Sequence, residues 1–304
     1  MKNNQLMIYG AYGYAGELMV REAVAQRLRP IIAGRDAEKL KPIATELSLE
    51  CRAFGVRNTG SNLQDISVLL NCAGPFSATA EPLARACLAQ QIHYLDITGE
   101  IDIFRKCHAL DEEARQQNVL ILPGAGTDIV PTDCLAAMLK EKLPVATRID
   151  LALSFGTNPS IGTVNTMIES FGKGGLIREG GMLKVVSNAF QMRKIPFQNK
   201  PQWAMTIPWG DVFTSGISTG VPDGAVYMAM PRMSIYMIRL TNPVKGILNT
   251  QFGQKITKRL AGWLMKKGPD AKALEAGRGQ FWGEAEAPDG EKLEMTMSTP
   301  NVYA

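Results

Sequence analysis

The chain reads as an α/β protein in two parts. A doubly wound parallel sheet is expected over residues 1–145, and an α+β domain built on a mostly antiparallel sheet over 146–304. Three observations predict this. Short apolar runs alternate with helical stretches through the first half, as strands alternate with crossover helices in a parallel sheet. The first run, residues 6–9, flows directly into Gly10, Gly13 and Gly16 and then into a helical stretch. From Thr147 the pattern changes to strand-like runs joined by long Gly-containing connections.

The glycine spacing G-x-x-G-x-x-G after a strand and before a helix is the pattern of a dinucleotide site. Gly10 permits the turn off the strand, Gly13 lets backbone N–H groups approach a pyrophosphate, and Gly16 lets the helix pack on the strand. Tyr12, Tyr14 and Ala15 fill the turn between them. The fold class is therefore a Rossmann-type doubly wound parallel sheet. Its first element starts at the N-terminus, which predicts no signal peptide.

The next strand, residues 30–35, ends in Gly34 and Arg35. An NAD site places an acidic residue there, about 20 residues beyond the glycines, to bind the ribose 2′-hydroxyl. A guanidinium instead pairs with a 2′-phosphate through parallel hydrogen bonds. Lys39, one helical turn on, adds a second positive charge, and Asp36 sits where an N-cap belongs for a helix over 37–47. The expected cofactor is NADP(H).

Further strands are expected at 51–56, 68–72, 92–96 and 119–122, with helices at 62–65, 79–91, 103–117 and 132–142, the last capped by Thr132. In open α/β sheets ligands lie beyond the carboxyl ends of the strands. The fourth strand ends in Asn71, Cys72, Ala73, Gly74 and Pro75, small residues that permit close approach of a ribose or nicotinamide. The fifth ends in the stretch from Tyr94 to Glu100, and the sixth in the loop 124–131. In the second half, 149–155 and 226–230 read as strands, and Ala287-Pro288-Asp289-Gly290 as the turn of a hairpin between 279–287 and 292–298.

Composition excludes several function classes. The 304 residues are 45% hydrophobic with a net charge of +4, and no basic block with interleaved aromatics supports a nucleic-acid partner. Five scattered cysteines without a C-x-x-C pair point to reduced thiols and a cytoplasmic location. Two histidines, His93 and His108, leave little material for His-ligated metals or a Ser-His-Asp site, so no metal is expected. No apolar run approaches a membrane span of about 20 residues. Lys245, Lys255, Lys258, Arg259, Lys266 and Lys267 border apolar residues at helical spacing, so a peripheral membrane contact stays open beside a helix packed on its own domain.

The runs IYGAYGYAG, IIAGR, LLNCAGPF, YLDITGE and LPGAGTDIVPTDCLA, in this order and spacing, resemble the saccharopine dehydrogenase-like NADP-binding reductases. The bacterial branch that includes trans-acting enoyl reductases is the nearer likeness. IGTVNTMIESFGKGGLIREG, TIPWGDV and STGVPDGAVYM in the second half extend it over nearly the whole chain. The resemblance implies a Rossmann domain carrying NADP(H), a second domain closing a substrate cleft, and hydride transfer from the nicotinamide. Tyr12 and Ala15 depart from the threonines usual in the family's phosphate turn, and Gly55 stands where an acidic residue usually ends the third strand. The chain stops at Ala304 where relatives continue into a further helix, so a missing tail is expected.

Position at the strand ends nominates Tyr94, Asp96, Glu100 and Asp128 for proton donation or substrate orientation. For Asp96 and Glu100 the reading as loop anchors that accept backbone N–H bonds stands ahead of a catalytic one. The second half has scattered arginines (Arg178, Arg193, Arg232, Arg239) and many apolar residues, among them Trp203, Met205, Trp209 and Phe213. That balance favours an apolar or acyl-thioester substrate, reduced at a C=C, C=N or C=O bond. A saccharopine- or opine-type amino-acid dehydrogenase, a catalytically lapsed NADP-binding regulatory protein, a lipid-associated protein and a homodimer all stay open at this level.

Overall fold

The computed structural model describes residues 5–155, 174–244 and 278–300. The chain divides into two compact units, Met1–Asp128 and Ile129–Ala304. The basic stretch from Lys245 to Lys267, residues 161–173 of the motif quoted above, and residues 301–304 lie outside the described residues.

The first unit holds six strands: β1 (Gln5–Tyr9), β2 (Ile31–Gly34), β3 (Cys51–Ala53), β4 (Ile66–Asn71), β5 (His93–Asp96) and β6 (Ile121–Leu122). They lie in the order β3-β2-β1-β4-β5-β6, and every pairing is parallel. The order reverses between β1 and β4, which makes the ends of these strands the binding edge of the sheet.

Alternation along β1 shows why both sheet faces must be covered. Met7 and Tyr9 point into one apolar layer with Ile31, Leu69, Leu83, Ala84 and Cys87. Ile8 points into the other, with Ile32, Val20, Leu40 and Ile43. Successive side chains of a strand face opposite sides, so a strand apolar on both faces needs helices on both. Helices α1 (Tyr14–Ala25) and α2 (Ala37–Leu47) cover one side; α3 (Phe76–Ala89) and α4 (Ile101–His108) cover the other. Asp36 caps α2 as expected, accepting from the N–H groups of Glu38 and Lys39.

Two helix readings need correction. The single helix expected over 103–117 is two helices, α4 and α5 (Asp111–Gln116). The chain turns at Leu110 so that its side chain, 4% exposed, enters the core. Thr132 is not the cap of the next helix, which is α6 (Val130–Lys142). Pro131 lies in its first turn, where the missing N–H costs nothing, and the buried Thr132 hydroxyl donates back to the Ile129 carbonyl at 3.0 Å.

The second unit is built on β7 (Arg148–Ser154), β8 (Gly175–Glu179), β9 (Met182–Val186), β10 (Met192–Pro196), β11 (Pro201–Ile207), β12 (Asp223–Ala229), β13 (Gly279–Glu286) and β14 (Lys292–Thr299). The path β10-β11-β12-β7-β13-β14 is antiparallel except for the parallel pair β12–β7, and the β8–β9 hairpin joins it through β12. The expected hairpin around Pro288-Asp289-Gly290 is present as β13–β14. Helix α6 belongs to this unit, not to the first as the boundary at 145 implied. Its buried residues Leu135, Ala136 and Leu139 pack toward β13 and β7, beside α7 (Asp211–Thr219). Among the described residues the remaining α-helix is α8 (Arg232–Leu240).

Candidate cofactor-binding site

The glycine turn has the geometry of a phosphate cradle. Gly10 has φ +87°, and a Cβ there would lie 2.7–2.9 Å from Ala73, so both backbone conformation and crowding demand glycine. Its N–H donates to the Ala33 carbonyl at 2.7 Å, which fixes the turn on the end of β2. A Cβ on Gly16 would meet the Gly10 carbonyl oxygen at 2.2 Å, so α1 seats directly on the turn. Gly13 stands at the N-cap with no side-chain cap on α1. The first N–H groups of a helix lack partners within it and form an anion site. Tyr14, 61% exposed, and Ala15 open that helix.

Gly34 is explained by Tyr12. A Cβ on Gly34 would lie 2.6 Å from Cε1 of the Tyr12 ring, so the ring rests on the backbone at the end of β2. The Lys39 ammonium lies 5.7 Å from the centre of that ring and 3.6 Å from Asp36. Arg35 is exposed and makes no ion pair among the described residues. A guanidinium left without a carboxylate beside a phosphate turn fits a 2′-phosphate, and the residues present suit NADP.

At the next strand end the structure reassigns several residues. Asn71 is fully buried; its Oδ1 accepts from the Ala73 N–H at 3.0 Å, and its Nδ2 donates to the Tyr94 hydroxyl at 3.1 Å and Thr79 Oγ1 at 3.3 Å. The Cys72 side chain belongs to the apolar layer under α1. Burial, reinforced by the charge of Asp96, pushes its thiol up to about 12. It can offer a ligand only backbone. Ala73 is half-buried, and Gly74 and Pro75 are exposed.

Tyr94 and Asp96 are both 0% exposed. The Tyr94 hydroxyl donates to Asp96 Oδ2 at 2.8 Å, while Oδ1 accepts from the N–H groups of Thr98 and Gly124 at 3.0 and 2.9 Å. Burial raises the Asp96 pKa against the opposing pull of those donors, and burial with the Asp96 charge drives the Tyr94 phenol far above its ordinary value. Of the two roles read from sequence for Asp96, loop anchor is the one these contacts describe. Glu100 stands at the start of α4, and its N–H donates to Thr98 Oγ1. Asp128 lies beside Gly99, its Cβ and Oδ2 3.6 Å from where a Cβ would stand. Asp128 is exposed at the surface, while the protein packed around its carboxyl disfavours the charge and pushes it up toward about 6.

Thr79 and Thr98 were not named from sequence. Thr79 Oγ1 donates to the Ala73 carbonyl at 2.6 Å, so Ala73 is held at both its N–H and its C=O. A hydroxyl one turn into the helix that follows a strand end was the available signal.

In the second unit, the arginines named from sequence are engaged internally. Arg178, 4% exposed, donates to the Val212 and Val221 carbonyls and the Ser215 hydroxyl. Arg193 grips Glu284 with two parallel bonds of 3.1 Å. Arg232 lies 4.9 Å over the Trp203 ring, and Arg239 donates to the Ala189 carbonyl. Met205 is core, 0% exposed, whereas Trp203, Trp209 and Phe213 are half-buried. Among the described residues no cluster of His, Cys, Asp or Glu could hold a metal ion.

Comparison with known proteins agrees with this geometry. Residues 6–122 match the family model of the saccharopine dehydrogenase NADP binding domain. The chain is 26% identical over 231 residues to the saccharopine dehydrogenase-like oxidoreductase of Rattus norvegicus, covering 66% of this chain and 53% of that one. It is 28% identical over 206 residues to a candidate trans-acting enoyl reductase of Mycobacterium tuberculosis, covering 60% of this chain and 44% of that one. The chain thus spans about half the length of the curated relatives it matches. Apo saccharopine dehydrogenase (L-Glu forming) from Saccharomyces cerevisiae shares the fold at a TM-score of 0.64 and 9% identity, over 98% of this chain and 85% of that one. Residues 6–122 thus resemble a saccharopine dehydrogenase NADP-binding domain, and the chain is similar to the saccharopine dehydrogenase-like oxidoreductases.

Proposed function

We propose that the chain is an NADP(H)-dependent reductase acting on a C=C, C=N or C=O bond of an apolar or acyl-thioester substrate. The observation that carries the substrate class is the engagement of Arg178, Arg193, Arg232 and Arg239 within the second unit. Recognition of a substrate with several carboxylates calls for guanidinium forks free to pair with it, and these four are occupied. The half-buried Trp203, Trp209 and Phe213 supply apolar surface instead.

When bound, the cofactor supplies the hydride; the protein binds it, orients it and manages a proton. Gly10, Gly13 and Gly16 let backbone approach the pyrophosphate, and Arg35 with Lys39 meets the 2′-phosphate. Tyr94 and Asp96 are sealed in the interior, so proton donation falls to Asp128 or Glu100, which keep solvent contact. Asp128 is the better suited, because a carboxyl pushed toward about 6 holds its proton closer to neutral pH.

The test is NADPH consumption with a panel of trans-2-enoyl thioesters of rising chain length, ketones and cyclic imines, beside saccharopine with NADP+. Turnover that rises with acyl length is expected, and Asp128→Asn should remove the alkaline-side limb of its pH profile, the fall that sets in as the donor loses its proton. Turnover of saccharopine alone, or tight NADPH binding with no turnover on any member, overturns the reading.

A further inference from the structure

The loops after β4, β5 and β6 are tied together by one buried chain of hydrogen bonds. From Ala73 it runs through the Asn71 amide to the Tyr94 hydroxyl, then to the Asp96 carboxylate and the N–H groups of Thr98 and Gly124. Thr79 closes the near end by donating to the Ala73 carbonyl. Among the described residues no cation pairs with Asp96; its partners are a phenol and two backbone amides. A carboxylate buried on such terms is costly, since burial disfavours its charge. The arrangement is one in which position, not net stability, explains the residue.

We propose that Asn71, Tyr94, Asp96 and Thr79 are positioning residues that set these three loops as one surface for the nicotinamide half of NADP(H). A dinucleotide lies across the point where strand order reverses, with one half beyond the β1–β2 ends and the other beyond β4 and its successors. Past the last pair the regular ladder ends, so side-chain bonds such as these, beside the single backbone bond from the Ala125 N–H to the Asp96 carbonyl at 2.7 Å, hold the loops after β5 and β6. The register makes the chain feasible: Asn71 lies opposite Asp96, and Leu69 opposite Tyr94, across the parallel pair β4–β5. Ala73, held at both backbone groups, is also the residue that crowds Gly10. This inference rests on the cofactor and not on the substrate proposed above, so the two can fail separately.

The test compares two ligands by calorimetry: NADP+, and adenosine 2′,5′-bisphosphate, which lacks the nicotinamide half. Tyr94→Phe removes one oxygen and keeps the ring; it leaves Asp96 Oδ2 without its donor. NADP+ should bind about tenfold more weakly, with adenosine 2′,5′-bisphosphate changed by no more than about twofold. Thr79→Val, at a half-buried helix position that tolerates valine, should give the same split at smaller size and serves if Tyr94→Phe fails to fold. A lowered melting temperature with both ligands weakened by the same factor, or with neither weakened, overturns the proposal.

Discussion

Asp96 in the first unit and the pair Asp150–Glu284 in the second are carboxylates buried at a sheet and satisfied by opposite means. Asp96 has only neutral donors. Asp150 and Glu284 face each other across β7–β13 and share Arg193, which lies 3.5 Å from Asp150 and 3.1 Å from Glu284. Arg148 adds a bond of 2.9 Å to Asp150, and the Arg193 guanidinium rests 4.7 Å over the Trp282 ring. Burial raises Asp150 despite its two arginines. Burial also acts to raise Glu284, but the fork of Arg193, with Lys292 and Arg148, outweighs it and holds that carboxyl below its ordinary value. The second unit therefore uses charge pairing to close its sheet, whereas the first accepts an unpaired carboxylate to hold loops in place.

Arg193→Met should have the largest effect on stability. It leaves Glu284 with Lys292 at 3.8 Å and Asp150 with Arg148 at 2.9 Å, and urea unfolding should show a loss of about 2–4 kcal/mol, reduced from the fully buried case because those partners remain and Arg193 keeps some solvent contact. A loss under about 0.5 kcal/mol would erase the contrast between the units. Next, Gly10→Ala forces a Cβ against Ala73 at positive φ; about 1–3 kcal/mol of strain is expected, with NADP+ binding lost in titration calorimetry. Arg35→Ala should weaken NADP+ about tenfold or more while NAD+ is unchanged, and leave stability within about 0.5 kcal/mol. Equal weakening of both cofactors would remove Arg35 from 2′-phosphate recognition.

The smallest effect is the pH dependence, and its sign separates the two networks. Glu284 has a depressed folded pKa, so its contribution is present above the ordinary glutamate value and is lost as pH falls below it. Asp96 has a raised folded pKa, so its contribution is present below the ordinary aspartate value and is lost as pH rises through the folded one. Urea titrations from acid to neutral pH should therefore slope in opposite directions for Arg193→Met and Asp96→Asn, each relative to wild type. Parallel slopes would show that the two networks are not satisfied differently.

Much of the fold was legible because it depends on local chemistry. The Asp36 cap, the glycine turn and the β13–β14 hairpin each rest on a few adjacent residues with restricted backbone options. The place of Arg35 just past β2 was legible for the same reason: it follows the second strand directly. The break of the expected helix at Leu110 was not, because Leu110 is buried by residues distant in sequence. The same holds for α6, whose membership in the second unit depends on which sheet receives Leu135 and Leu139.

By itself the sequence determined the six parallel strands and the glycine turn after β1, since strand alternation and glycine act through nearest neighbours. Only the tertiary structure decided what Asn71, Cys72, Tyr94 and Asp96 do. All four belong to the last residues of β4 and β5 or the residue just beyond, yet Cys72 belongs to the core and the other three form one hydrogen-bond chain. That outcome depends on the register of β4 against β5, and register is set by packing across the whole sheet.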